Sequence, residues 1–179
     1  MAGDVGDVTE PAGLRWAAVA LIVVPDPEAF LLIRRAERAG DPWSGHLALP
    51  GGRRHADDPD LLATAIRETH EEVGIVLERT SFARALPDVV PRTPALPPLA
   101  IRPFVFTLAE RPPIVPNPEV AVTVWVEFAA LREPGARDEL GMELGGAHRV
   151  VQAYRTAFGP VWGLTERILT LYLGPPAAA

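Results

Sequence analysis

Residues 51–76 read GGRRHADDPDLLATAIRETHEEVGIV. At about 100° per residue, the carboxylates of Glu68, Glu71 and Glu72, spaced i, i+3 and i+4, fall within one helical sector, while Leu62, Ile66, Thr69 and Val73 cluster nearly opposite. One face packs and the other carries concentrated negative charge. Asp58 suits the N-cap, Pro59 the first helical position and Gly74 the left-handed position after the last turn, so a helix is predicted over roughly Pro59 to Val73.

Three carboxylates this close repel one another unless they are solvated, share a proton or bind a cation. Hard oxygen donors in a chain without cysteine point to Mg²⁺ or Mn²⁺. The alternative is a solvated acidic face on which Arg67 pairs with Glu71 one turn away. The run Leu49-Pro50-Gly51-Gly52 weighs against that alternative, because paired glycines after an apolar stretch let a backbone carbonyl approach the same ion.

With its glycines and its R-E-x-x-E-E-x-G core, this stretch resembles the signature of the Nudix hydrolases, G-x5-E-x7-R-E-U-x-E-E-x-G-U, where U is bulky and apolar. Gly52 to Arg67 is one residue longer than the pattern, no Glu stands at the early position, and Thr69 occupies the first U. Asp57 or Asp58 is the candidate stand-in for that Glu. The resemblance implies metal ligands at Gly52, through its carbonyl, and at Glu68, Glu71 and Glu72. It further implies hydrolysis of a phosphoanhydride, with Glu68 and Glu72 as principal ligands and Glu71 sharing the metal and positioning or deprotonating the water. Arg67 is expected to orient the carboxylates. Which carboxylate acts as base stays open.

Composition removes competing classes. No cysteine means no thiolate nucleophile or disulfide framework, and all 17 basic residues are Arg, so neither a P-loop lysine nor a Schiff base is available. A net charge of −6 disfavours nucleic-acid polymers and anionic membranes. A small diphosphate substrate remains compatible where cations gather locally, and Arg34, Arg35, Arg38, Arg53 and Arg54 bracket the glycine turn. Guanidinium groups suit phosphate oxygens, so Arg34, Arg35, Arg38 and Arg53 are the expected substrate-binding residues, with a solubilising role as the plainer account of each. The longest apolar run, Ala17 to Val24, is too short to span a bilayer, and a cytoplasmic location is expected.

One domain over residues 14–174 is expected, flanked by a mobile lead-in at 1–13 and a disordered tail at 175–179. Trp16 to Val24 and Phe30 to Ile33 read as a hairpin, and Leu47 to Pro50 as a short strand. Phe82 to Val90, Leu99 to Leu108 and Val120 to Phe128 read as further strands. Half of the 20 prolines lie between Pro87 and Pro118, and Pro94, Pro97 and Pro98 are read as one wall of a cleft. Gly159 to Leu173 reads as a short loop and a helix covering the sheet. The fold class is α/β, and the resemblance implies a Nudix-type α/β/α sandwich around a mixed β-sheet. Apolar terminal segments suit either a homodimer interface or the core.

Upstream of the box, LLIRRAERAGDPWSGHLALPGG is similar to the extended motif of the coenzyme A pyrophosphatase branch, and VWGLTERIL, from Val161 to Leu169, is similar to that branch's W-G-x-T segment. Leu49 replaces the aromatic residue expected before the proline. The resemblance implies coenzyme A or a derivative as substrate. ADP-ribose or a nucleoside triphosphate is the alternative, and a nucleotide sensor without turnover is the alternative of another class. His46, His55, His70 and His148 lack zinc spacing. Among them His46 merits testing because it precedes the strand leading to Gly51. Glu119 is read as a surface charge at a strand entrance, with an approach to the metals as the second account.

Overall fold

The computed structural model describes residues 13–40, 44–91, 98–144 and 146–174. The lead-in apart from Gly13, the tail at 175–179, and Pro94 and Pro97 of the expected cleft wall lie outside the described residues.

The two apolar runs form β1 (Arg15–Pro25) and β2 (Glu28–Arg35), an antiparallel hairpin with Val23 opposite Phe30. The expected strand at Leu47–Pro50 is divided. β3 (Leu47–Ala48) pairs with β2, and β4 (Gly51–Arg53) pairs with β1, so the chain crosses between two neighbouring strands at Pro50, which has no N–H to give to a ladder. β5 (Phe82–Ala85) stops before Pro87, leaving Val89 only a single bridge to Ile101 on β6 (Leu99–Thr107). β7 (Val120–Glu127) lies antiparallel to β2. Along the sheet the order is β3-β2-β1-β6-β5, with β4 on β1 and β7 on β2. β1 and β6 run parallel, with Arg15 opposite Leu99 and Val23 opposite Thr107, which makes the sheet mixed.

Alternation along β1 creates the layers, because successive side chains leave opposite faces of a strand. Ala18, Ala20 and Ile22 pack with Leu61, Leu62, Ala65 and Val73 of α1 (Leu61–Val73). Leu21 and Val23 pack on the other face with Phe128 of α2 (Phe128–Arg132) and with Ile168 and Leu169 of α3 (Gly163–Leu173). Each fully buried Leu or Ile contributes about 1.5–3 kcal/mol. The expected α/β/α sandwich is therefore present. Phe128 ties the second helical layer to the sheet, its ring centroid 4.6 Å from Phe30 and 4.8 Å from Tyr172.

A second sheet was not expected from the sequence. β8 (Arg137–Leu144), β9 (Ala147–Thr156) and β10 (Gly159–Trp162) form an antiparallel sheet in the order β10-β9-β8. The predicted loop at Gly159 is thus a strand leading into α3. Arg137 Nε donates at 2.7 Å to the buried carboxylate of Glu166, which also accepts from Thr170 Oγ1 at 2.9 Å, so an ion pair docks β8 on α3. Arg34 fastens the β9–β10 turn to the main sheet, donating from Nη2 to the Phe158 carbonyl and from Nη1 to the Gly45 carbonyl at 2.9 Å. No helix among the described residues is long and apolar enough to cross a membrane.

Candidate active site

Helix α1 starts one turn fragment later than its proline implies. Asp60, not Asp58, is the N-cap: its backbone is extended and its Oδ1 accepts from the Ala63 N–H at 2.7 Å. Either aspartate has the side chain of an N-cap, but with Asp60 in that place Pro59 precedes the cap instead of opening the helix; Asp58 is committed elsewhere. At the other end Gly74 takes the left-handed conformation at φ 71° and bonds back to His70, as expected. Val115 N donates to Val73 O and Asn117 N to Glu72 O, each at 2.9 Å, so the proline-rich segment satisfies carbonyls that the helix end leaves open.

The glycine turn is held against β1, with Gly51 opposite Val19 and Gly52 opposite Ala18. Gly51 N–H donates to Glu72 Oε2 at 2.9 Å. Glu72 is only 4% exposed, and burial pushes its carboxyl up to about 7, with the Gly51 hydrogen bond opposing that shift. Negative charges on Glu68 and Glu119 push the same way as burial, and Arg35 pulls back. Glu68 sits against Gly52 so tightly that a Cβ there would stand 2.5 Å from its carboxyl carbon. Burial raises the Glu68 carboxyl, while Arg67 opposes the rise. Glu71 is the open member of the three, with half its side chain exposed.

Arg67 joins them. Its Nη1 donates to Glu68 Oε1 at 2.9 Å and to Glu71 Oε2 at 3.0 Å, and its Nη2 donates to the Arg53 carbonyl at 3.1 Å. Nε and Nη2 grip Asp58 Oδ1 and Oδ2, both at 2.9 Å. Asp58 is buried, and the guanidinium hydrogen bonds hold its carboxyl well below the usual range. Among the described residues no three acidic or imidazole groups converge on one point, because Arg67 draws Glu68 and Glu71 while Gly51 holds Glu72. The donor set nonetheless fits a hard divalent ion. It consists only of oxygens, and the Glu68 carboxylate occupies the space that a side chain at residue 52 would need.

The other predicted residues scatter. Arg38 pairs with Glu119 at 3.0 Å, both half exposed, and Glu119 is near enough to Glu72 to act on it. Arg35 likewise acts on Glu72, whereas Arg53 reaches the network through its carbonyl. Arg34 is turned to the two carbonyls already described, a role that sequence could not show because its partners lie on a distant turn and a glycine. The His46 ring meets Trp162 edge-on at 4.7 Å, and the His46 carbonyl accepts from Arg35 N at 3.0 Å. His70 is exposed. The tight contact at residue 52 has a direct consequence. Gly52→Ala is expected to leave the fold standing, since the obstructing atoms are the tip of a flexible side chain, while weakening Mn²⁺ binding at least about tenfold. Calorimetric titration with Mn²⁺ beside a melting curve checks both halves.

The NUDIX domain model matches residues 14–143. An uncharacterized protein of Schizosaccharomyces pombe is 38% identical over 118 residues, covering 63% of this chain, which spans 36% of that relative's length. The uncharacterized Nudix hydrolase NudL of Cronobacter sakazakii is 32% identical over 161 residues, covering 87% of this chain and 79% of the relative. In fold, the chain is similar to a MutT/nudix family protein from Enterococcus faecalis, with a TM-score of 0.62 at 16% identity over 92% of this chain and 62% of that one.

Proposed function

Because the chain belongs to the Nudix family, we propose that it is a divalent-metal-dependent diphosphatase that hydrolyses the phosphoanhydride of a small nucleotide derivative, with coenzyme A or its derivatives as the leading substrate. The observation that carries the reading is the meeting of the Gly51-Gly52 turn with Glu68 and Glu72 on one face of α1. The Gly52 carbonyl and the carboxylates of Glu68, Glu71 and Glu72 are the groups that would hold Mg²⁺ or Mn²⁺. Such an ion, when bound, withdraws charge from diphosphate oxygens and lowers the pKa of water.

The chain's own residues then have separable tasks. Glu71, the open carboxylate, is our candidate for the group that accepts the proton of the attacking water while the water oxygen bonds to phosphorus and the bridging P–O bond breaks, a reading supported by its exposure. Arg67 holds Glu68 and Glu71 in register, and its five N–H donors are all engaged by protein oxygens, which leaves it none for substrate. Arg35, Arg38 and Arg53 supply positive charge around the turn for the phosphates, whereas Arg34 is committed to the Gly45 and Phe158 carbonyls. The coenzyme A preference is supported by the upstream LLIRRAERAGDPWSGHLALPGG segment and by the WGLT segment at the start of α3. Cleavage of coenzyme A would give an adenosine 3′,5′-bisphosphate and 4′-phosphopantetheine.

A panel of coenzyme A, ADP-ribose and nucleoside triphosphates with Mg²⁺ or Mn²⁺ tests the reading. Preferential cleavage of coenzyme A is the expected result. Preference for another member of the panel keeps the chemistry and removes the substrate, and binding without turnover of any of them overturns the enzymatic assignment.

A further inference from the structure

A strand at the edge of a sheet offers unpaired N–H and C=O groups, and folds protect such edges by shortness, charge, proline or bulges. β5 and β10 have four residues each, β5 with Arg84 and a register shift, β10 with Pro160. β8 is longer but carries Arg137, Asp138, Glu139 and Glu143. β7 lacks these devices along its length: Val120 to Val126 reads VAVTVWV, without charge, proline or glycine. Its one irregularity falls at its entrance, opposite Arg34 and Arg35 of β2. Among the described residues β2 is its only ladder partner, so the other edge is unpaired, and Val122 on this strand is 46% exposed.

The regular stretch from Val122 to Val126 is also complementary to itself. About a twofold axis through Val124, an antiparallel copy sets Val122 opposite the partner's Val126 and Thr123 opposite the partner's Trp125. Residues directly opposite share a face, so valine meets valine on the side of Phe128, and an aromatic ring meets a β-branched side chain on the side of α1. The same register brings the partner's Val122 beside Val126, at a groove of about 260 Å³ that Trp125, Ala130 and the half-exposed Phe158 also line. The strand ends match as well. β7 finishes with the exposed carboxylate of Glu127 and begins beside two guanidinium groups, Arg35 in register with Val120 and Arg38 bonded to Glu119. Antiparallel copies therefore bring unlike charge together at both ends.

We propose that β7 is a docking edge for a second copy of this chain, the two β7 strands pairing antiparallel into one continuous sheet. The occupant is a second copy because the edge supplies its own complement, in side-chain pairs and in charge. The contact needs neither metal nor substrate, so it stands or falls apart from the diphosphatase reading.

Analytical ultracentrifugation between about 1 and 100 µM should show a species of twice the 19.3 kDa of one chain. Amide hydrogen exchange within Val122–Val126 should slow by at least about tenfold from the lowest to the highest concentration, while the amides of β8 keep their rates. Val122→Lys adds the kind of charge that protects natural edges and should raise the dissociation constant at least about tenfold. Val150→Lys, on β9 at a residue 61% exposed, should change it by less than about twofold. A monomer throughout overturns the second copy as occupant and leaves the edge to a strand of another protein. A dimer whose β7 amides exchange independently of concentration, or whose dissociation constant is unmoved by Val122→Lys, overturns the choice of surface. If Val122→Lys does not fold, the exchange measurement on the unaltered chain decides.

Discussion

Glu72→Gln is expected to lower kcat/KM for diphosphate hydrolysis by at least about 10²-fold, by analogy with the loss of a preorganised electrostatic group, while making the metal-free protein more stable at pH 8. The two effects have one origin. Glu72 is buried with a carboxyl pushed from 4.5 up to about 7, so the fold without metal favours its protonated form. Below about 4.5 the group is protonated in both folded and unfolded chains, and that preference is fully satisfied. As pH rises through about 7 the folded state must carry a buried negative charge, and the stability associated with the proton is lost. At face value the shift corresponds to about 3 kcal/mol, which the glutamine variant does not lose. Urea titrations in the presence of EDTA at pH 4.5 and pH 8 measure the difference. The stabilities should nearly coincide at the lower pH and diverge in favour of Glu72→Gln at the higher one. A variant weaker than wild type at pH 8 in EDTA would show that burial of charge is not what the site overcomes when it binds a cation.

Gly51→Ala should fail for a different reason. Gly51 has φ +150°, a conformation that side-chain-bearing residues rarely adopt, and an added Cβ would stand 2.3 Å from the Ala18 carbonyl oxygen and 2.6 Å from Val19 Cα. Both obstacles are backbone atoms of the central strand, so no rotamer change relieves them. A loss of about 3–5 kcal/mol is expected, in the range of severe strain and overpacking, visible as a large fall in the urea midpoint. The neighbouring Gly52→Ala, whose clash is with a carboxylate tip, should spare stability and strike metal binding. The pair separates a glycine needed by the fold from a glycine needed by the site.

The hairpin, the acidic helix, the glycine turn and the sheet-covering terminal helix were legible because each pairs a period with a boundary residue. The unbroken apolar runs Trp16 to Val24 and Phe30 to Ile33 on either side of a proline-containing turn, and the i, i+3, i+4 spacing of the glutamates, can be read without tertiary context. The cap lies two residues beyond the expected one because the Asp58-Pro59 pair fits the local rule for a helix start, and only long-range bonding to Arg67 withdraws Asp58 from the role. β8 and β9 were missed because their residues are mostly exposed and carry charges on both faces, which erases the apolar alternation a half-buried strand displays. The Gly145-Gly146 pair between two β-prone runs was the available signal for that hairpin. The fate of Arg34 was not legible at all, since a guanidinium committed to carbonyls at Gly45 and Phe158 has the same sequence signature as one open to phosphate.

The parallel pairing of β1 with β6 also governs how the chain reaches this arrangement. Arg15 meets Leu99 and Val23 meets Thr107, so the strand that carries the glycine turn on one edge completes its other edge only when a segment from far along the chain closes against it. Loop-closure entropy must be lost before that contact contributes anything, which places the assembly among slow, non-local events. The acidic helix and its turn are synthesised well before the strand that buries their support. Folding of the candidate active site therefore waits on β6, and substitutions along Leu99–Thr107 should govern how fast a competent enzyme appears.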